Sequence, residues 1–151
     1  MHKLKVIGIT GLKQTGKSTF ARYIHDIINA DPAIVPETGI HKWSAERYAF
    51  AKPLKEICHT LFGGTEDNWY GDFKTVPLAQ WADVHLPIQP TPRKLLQFVG
   101  TELFRNHVNP DFWLHVAHRY IADIAEETGA NVIIVDDVRF DNEASFLHTH
   151  Y

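Results

Sequence analysis

Eight residues near the start of the chain have types and a spacing that suit one task. Gly11-Leu12-Lys13-Gln14-Thr15-Gly16-Lys17-Ser18 fits the pattern G-x-x-x-x-G-K-[ST]. Two glycines allow the backbone to wrap closely around a phosphate, with amide N–H groups and the start of a following helix turned toward the anion. Lys17 brings a point charge to the β- and γ-phosphates, and the Ser18 hydroxyl is a hard oxygen ligand for Mg²⁺. Lys13, Gln14, Thr15 and Thr19 complete the expected ATP-cradling set. An unspecialised strand–helix turn with solvated lysines is the competing reading.

A phosphate loop needs an acid near its metal, delivered from a neighbouring strand end. Val132-Ile133-Ile134-Val135-Asp136-Asp137 is an apolar run ending in two carboxylates. Asp136 or Asp137 is the expected Mg²⁺ partner, and Arg139 follows within reach of a transferring phosphoryl group. A strand-end Asp that caps the next turn is the alternative. A third pattern is Arg93, Gln97, Thr101 and Arg105, recurring every fourth residue. On a helix these make one slowly drifting ridge opposite Leu95, Leu96, Val99 and Leu103. Guanidinium groups suit a phosphate and an amide suits a base edge; Gly100 beside the ridge would let a ligand approach the backbone. The alternative is a solvated helix face.

These residues need elements to hold them. Lys3 to Ile9 reads as a buried strand that enters the loop. Ser18 to Ala30 reads as a helix with Phe20, Ala21, Ile24, Ile27 and Ile28 on its apolar side, stopped by Asp31-Pro32. A loop over 32–43, a short strand within 46–51 and a helix from Pro53 to Phe62 follow. Residues 65–92 lack a sustained period and read as a functional flap or insertion outside the core. Thr91-Pro92 starts a helix running to about His107, and Asn109-Pro110 starts another running to Gly129 with Trp113, Val116, Ala117, Tyr120, Ile121 and Ile124 as its stripe. Asn131 to Val135 is a second buried strand, and Asp141 is the expected cap of a last helix. His115 and His118, three apart, are more easily read as a solvated pair than as metal ligands. The four tryptophans and Cys58 read as packing.

Composition bounds the rest. The chain has 151 residues, enough for one domain, with 15 Lys+Arg against 18 Asp+Glu. That balance lacks the basic excess of a nucleic-acid polymer binder. No apolar run is long enough to span a bilayer, and the basic start lacks a signal-peptide core. A single cysteine, Cys58, excludes an intramolecular disulfide framework and fits a reducing compartment. The expectation is therefore a cytoplasmic protein without a membrane or nucleic-acid partner.

Taken in order, GLKQTGKST, YAFAKPLKEICHTLFG, TPRKLLQFVGTELFRNHVNPDFWL and VIIVDDVRFDNEA resemble the deoxynucleoside monophosphate kinases of tailed bacteriophages over about residues 4 to 145. R-x-x-L-Q-x-x-G-T-E-x-x-R and D-D-V-R-F carry most of the resemblance. It implies an α/β, three-layer P-loop kinase-like domain over 1–151 with a parallel sheet. It also implies transfer of the ATP γ-phosphoryl to a deoxynucleoside 5′-monophosphate with Mg²⁺, in host cytoplasm for a phage enzyme. The ridge then becomes a monophosphate site, joined by Lys52 or Lys55. The chain departs from related kinases in stopping at Tyr151, so a C-terminal lid and the last strands are expected to be absent. An uncovered sheet edge would leave room for a homodimer. Another small-molecule kinase, acting on phosphomevalonate or a nucleoside, and a non-catalytic nucleotide-binding remnant remain the competing readings.

Overall fold

The computed structural model describes residues 4–12, 15–30, 43–82, 84–85 and 88–151. They form β1 (Lys5–Thr10), α1 (Lys17–Ala30), β2 (Ala45–Tyr48), α2 (Ala51–Phe62), α3 (Glu66–Trp69), α4 (Pro92–Gln97), a π-helical segment (Phe98–Val108), α5 (Phe112–Thr128), β3 (Val132–Val138) and α6 (Asp141–His150). The loop expected over 32–43 lies outside the described residues except at Trp43. Two compact units result, one from Met1–Phe50 with Leu114–Tyr151, the other from Ala51–Trp113.

The first unit is a parallel sheet in the order β1-β3-β2. β3 lies in the middle, which explains its unbroken apolar run: both faces of a central parallel strand are covered. Ile133 and Val135 point to one face, where they pack with Leu114, Ala117 and Ile121 of α5 and Leu147 of α6. Val132 and Ile134 point to the other, with Ile9 of β1 and Ala21 of α1. The α/β, three-layer expectation therefore holds. Burying side chains of this size stabilises by about 1.5–3 kcal/mol each.

Three details of this unit differ from expectation. β1 is an edge strand among the described residues, so Ile9 is buried but Ile7 is 37% exposed. The apolar side of α1 is also wider than the surface it covers: Ala21 is buried and Ile24 and Ile28 are half-buried, whereas Phe20 and Ile27 are exposed. At the far end, Asp141 is the first residue of α6 rather than its cap. The task falls to the buried Glu143, whose Oε2 accepts from the N–H groups of Arg139 (2.8 Å) and Phe140 (3.2 Å). A carboxylate in the first turn also suits the positive end of the helix.

The second unit packs α2, α3, α4 and the π-helical segment around Cys58, Trp69, Leu78, Leu95 and Val99. Trp69 and Leu78 come from the stretch expected to lie outside a core. Three indole N–H groups close backbone accounts here: Trp69 donates to Gly63 O, Trp81 to Phe62 O and Trp113 to Gly100 O. Thr91 caps α4 by accepting from the Lys94 N–H at 3.3 Å, as its sequence predicts. The long helix expected to follow changes character at Phe98. Hydrogen bonding widens from i→i+4 to i→i+5, which shifts the inward positions, so Leu103 is 43% exposed and its neighbour Phe104 packs on the core instead.

Candidate active site

β1 ends at Thr10 and the glycine-containing loop begins at Gly11. Gly11 has φ 151° and Gly16 has φ 81°, both in territory that side-chain-bearing residues avoid. The loop is tied to itself. Thr15 Oγ1 donates to Leu12 O at 2.8 Å, and Phe20 N–H donates to Gly16 O at 2.9 Å, so α1 starts directly from the loop. Lys17, the first residue of α1, turns its ammonium back onto the loop and donates to Gly11 O (2.8 Å) and Leu12 O (2.5 Å). Ser18 and Thr19 are exposed on the first turn of the helix. Lys13 and Gln14 lie outside the described residues.

Sheet register brings the acidic pair to the same end of the unit. Gly8 pairs with Val135 and Thr10 with Val138, so Asp136 and Asp137 sit on the strand adjoining the one that feeds the loop. The register shifts there, with a step of three residues on β3 from Val135 to Val138 set against a step of two on β1 from Gly8 to Thr10, and the two carboxylates take different partners. Asp136 is 8% exposed, and its Oδ2 accepts from Arg47 Nη2 of β2. Asp137 is half-buried, and its Oδ1 accepts the Phe50 N–H at 2.7 Å, tying the end of β3 to the chain leaving β2. Arg139 is exposed where β3 passes into α6. Arg47 had no signal in the sequence, because an arginine in a four-residue strand names a partner only once the strand order is known.

The ridge residues all belong to the second unit, as does Lys52. Arg93, Gln97, Thr101 and Lys52 are exposed, and Arg105 is half-buried with a partner. Lys55 lies over the Tyr70 ring, 4.7 Å from its centroid; burial, with Glu56 and Glu66 adding to it, pushes the Tyr70 phenol up from its ordinary value. Gly100 has a different role from the one its position suggests. A Cβ there would lie 2.6 Å from Leu54 Cδ2, so the missing side chain serves the close packing of α2 on this segment rather than a ligand. His118 Nδ1 lies 2.9 Å from the Tyr151 hydroxyl, which places it in a contact with the last residue rather than with His115.

Comparison with known proteins bears on this arrangement. The deoxynucleotide monophosphate kinase family profile matches residues 78–150, the span that holds the ridge, β3 and both carboxylates. A protein of Acanthamoeba polyphaga mimivirus that carries the deoxynucleotide monophosphate kinase name is 30% identical, over 94% of this chain and 67% of its own length. The chain belongs to the deoxynucleotide monophosphate kinase family. A second member, the deoxynucleoside-5′-monophosphate kinase of Escherichia phage T5, is 26% identical over 94% of this chain and 71% of its own length. Both family members are longer than this chain. No helix among its described residues is long and apolar enough to cross a membrane.

The site residues are compatible with the ion that kinase chemistry implies. Asp136 and Ser18 offer oxygen donors, which suit Mg²⁺. Among the described residues no group of three or more His, Cys, Asp or Glu is placed to hold an ion. An ion at this end would take its other ligands from phosphate and water, as Mg²⁺ in nucleotide sites does.

Proposed function

We propose that this chain carries the donor and acceptor determinants of a kinase that transfers the γ-phosphoryl of ATP to a deoxynucleoside 5′-monophosphate. The observation that supports it most is the pairing of β1 with β3, which joins the phosphate loop to the Asp136 strand end in one unit. In this reading the amides of Gly11 to Thr19 cradle the ATP phosphates, with Lys13, Gln14 and Thr15 in the turn. Lys17 exchanges loop carbonyls for β- and γ-phosphate oxygens. Ser18 and Asp136 hold Mg²⁺, while Asp137 maintains the strand end through Phe50. Bound there, Mg²⁺ offsets the negative charge on the phosphates. Arg139 adds a positive charge to the transferring group.

Acceptor binding is assigned to Lys52, Arg93, Gln97, Thr101 and Arg105. A monophosphate acceptor is already anionic, so the site needs no general base. It needs cations that offset phosphate repulsion and geometry that keeps the reactants in line. A hydroxyl acceptor would require a base beside it. The test is ADP release over a panel of deoxynucleoside monophosphates, ribonucleoside monophosphates, deoxynucleosides and phosphomevalonate. Turnover confined to monophosphates with a deoxyribose supports the reading, and turnover with a free nucleoside or phosphomevalonate alone refutes it.

A further inference from the structure

Arg47 lies on β2, paired in register with Ile134 of β3. Residues two apart on a regular strand share a face, which puts Arg47 with Ala45 on the α1 side of the sheet, and its guanidinium meets the Asp136 carboxylate there. Their neighbours on that face, Ala45, Val132 and Ile134, are apolar and buried. An ion pair at the end of an apolar column is a poor choice for stability alone, because the Asp136 side chain, only 10% exposed, loses most of its hydration. The contact is also one-armed. Arg47 Nη2 takes Asp136 Oδ2, and among the described residues Oδ1 has no partner. Arg47 Nε is buried and has no hydrogen-bond partner among the described residues.

We infer that Arg47 is a positioning residue for the metal-binding carboxylate: it fixes Asp136 through Oδ2 and leaves Oδ1 for a divalent cation. This rests on the kinase reading above. A guanidinium suits the task because its donors form a rigid fork; a lysine would supply charge without fixing the orientation of the carboxylate. Groups that orient a metal ligand typically contribute 10–100-fold to metal affinity.

The test is binding of a fluorescent ATP analogue, with Mg²⁺ and with EDTA, to the wild type, Arg47→Ala, Arg47→Lys, Asp136→Asn and the Arg47→Ala/Asp136→Asn double variant. Thermal unfolding reports on the fold of each. Arg47→Ala is expected to reduce the gain in affinity from Mg²⁺ about tenfold or more, with affinity in EDTA within about twofold of wild type. Arg47→Lys should recover part of the gain. In the Asp136→Asn background, Arg47→Ala should have no further effect on it. If Arg47→Ala fails to fold, Arg47→Lys carries the test, with a partial loss of the Mg²⁺ gain and unchanged affinity in EDTA. A Mg²⁺ gain that survives in every folded Arg47 variant overturns the inference, as does an equal loss with Mg²⁺ and EDTA or an Arg47→Ala effect that adds to Asp136→Asn. A wild type that gains nothing from Mg²⁺ overturns the donor-site reading, and this inference with it.

Discussion

Asp136 and Asp137 are adjacent in sequence but are assigned different work, and substitution separates them. Asp137→Ala removes the acceptor of the Phe50 N–H, now held at 2.7 Å. Phe50 is 6% exposed, so water has little access to that amide. Leaving a buried donor unpaired costs about 1–3 kcal/mol. For a chain of this size each kcal/mol moves the melting temperature by roughly 2–4 °C, so a drop of roughly 2–12 °C is expected. Asp137→Asn keeps an oxygen at the same place and should lose less. Neither change should alter the Mg²⁺-linked gain in ATP affinity by more than about twofold, whereas Asp136→Asn should abolish most of it. Differential scanning calorimetry and nucleotide titration on the same samples provide the readings. An Asp137→Ala protein with unchanged melting temperature and no Mg²⁺ gain would refute the division of labour.

Other perturbations address the remaining parts of the account. Lys17→Ala should cost roughly 2–4 kcal/mol of transition-state stabilisation, comparable to loss of one preorganised donor, and kcat/KM measured against wild type would show it. Arg93→Ala should weaken deoxynucleoside monophosphate binding and leave ATP affinity within about twofold, because its exposed guanidinium is assigned to the acceptor; calorimetric titration with each ligand decides this, and Arg93→Lys should rescue only partly. Burial pushes the Cys58 thiol from 9.0 to about 12, so iodoacetamide should modify it only after unfolding. The folded state holds that proton longer than the unfolded state, so the contribution of this group to stability is complete below pH 9 and is lost as pH rises toward 12. Melting temperatures across that range should fall.

Local chemistry made much of the fold legible. The positive-φ glycines of the loop after β1, the Thr91 cap and the apolar run of β3 each act through neighbours a few residues away, and each is found where its pattern points. What escaped the sequence depends on partners far along the chain. Arg47 and Asp136 are far apart in sequence and meet only because β2 lies beside β3. Gly100 had the composition of a ligand contact, but Leu54 fills the space. Leu103 kept the α-helical period, and the widened hydrogen bonding after Phe98 turned it outward and brought Phe104 in. The acidic pair shows both limits: the run ending in carboxylates predicts acids on a strand beside the loop, yet the partner each takes, Arg47 or Phe50, follows from the strand order.

Phosphoryl transfer by this chain is read by following the γ-phosphate itself. The protein is incubated with γ-labelled ATP, Mg²⁺ and each deoxynucleoside monophosphate in turn, and the products are separated. The expected result is label in the β-position of a deoxynucleoside diphosphate, with equimolar ADP, and loss of most of that label in Lys17→Ala. Normal Mg²⁺-dependent ATP binding with no label in any deoxynucleoside diphosphate, or equal transfer by wild type and Lys17→Ala, would contradict it.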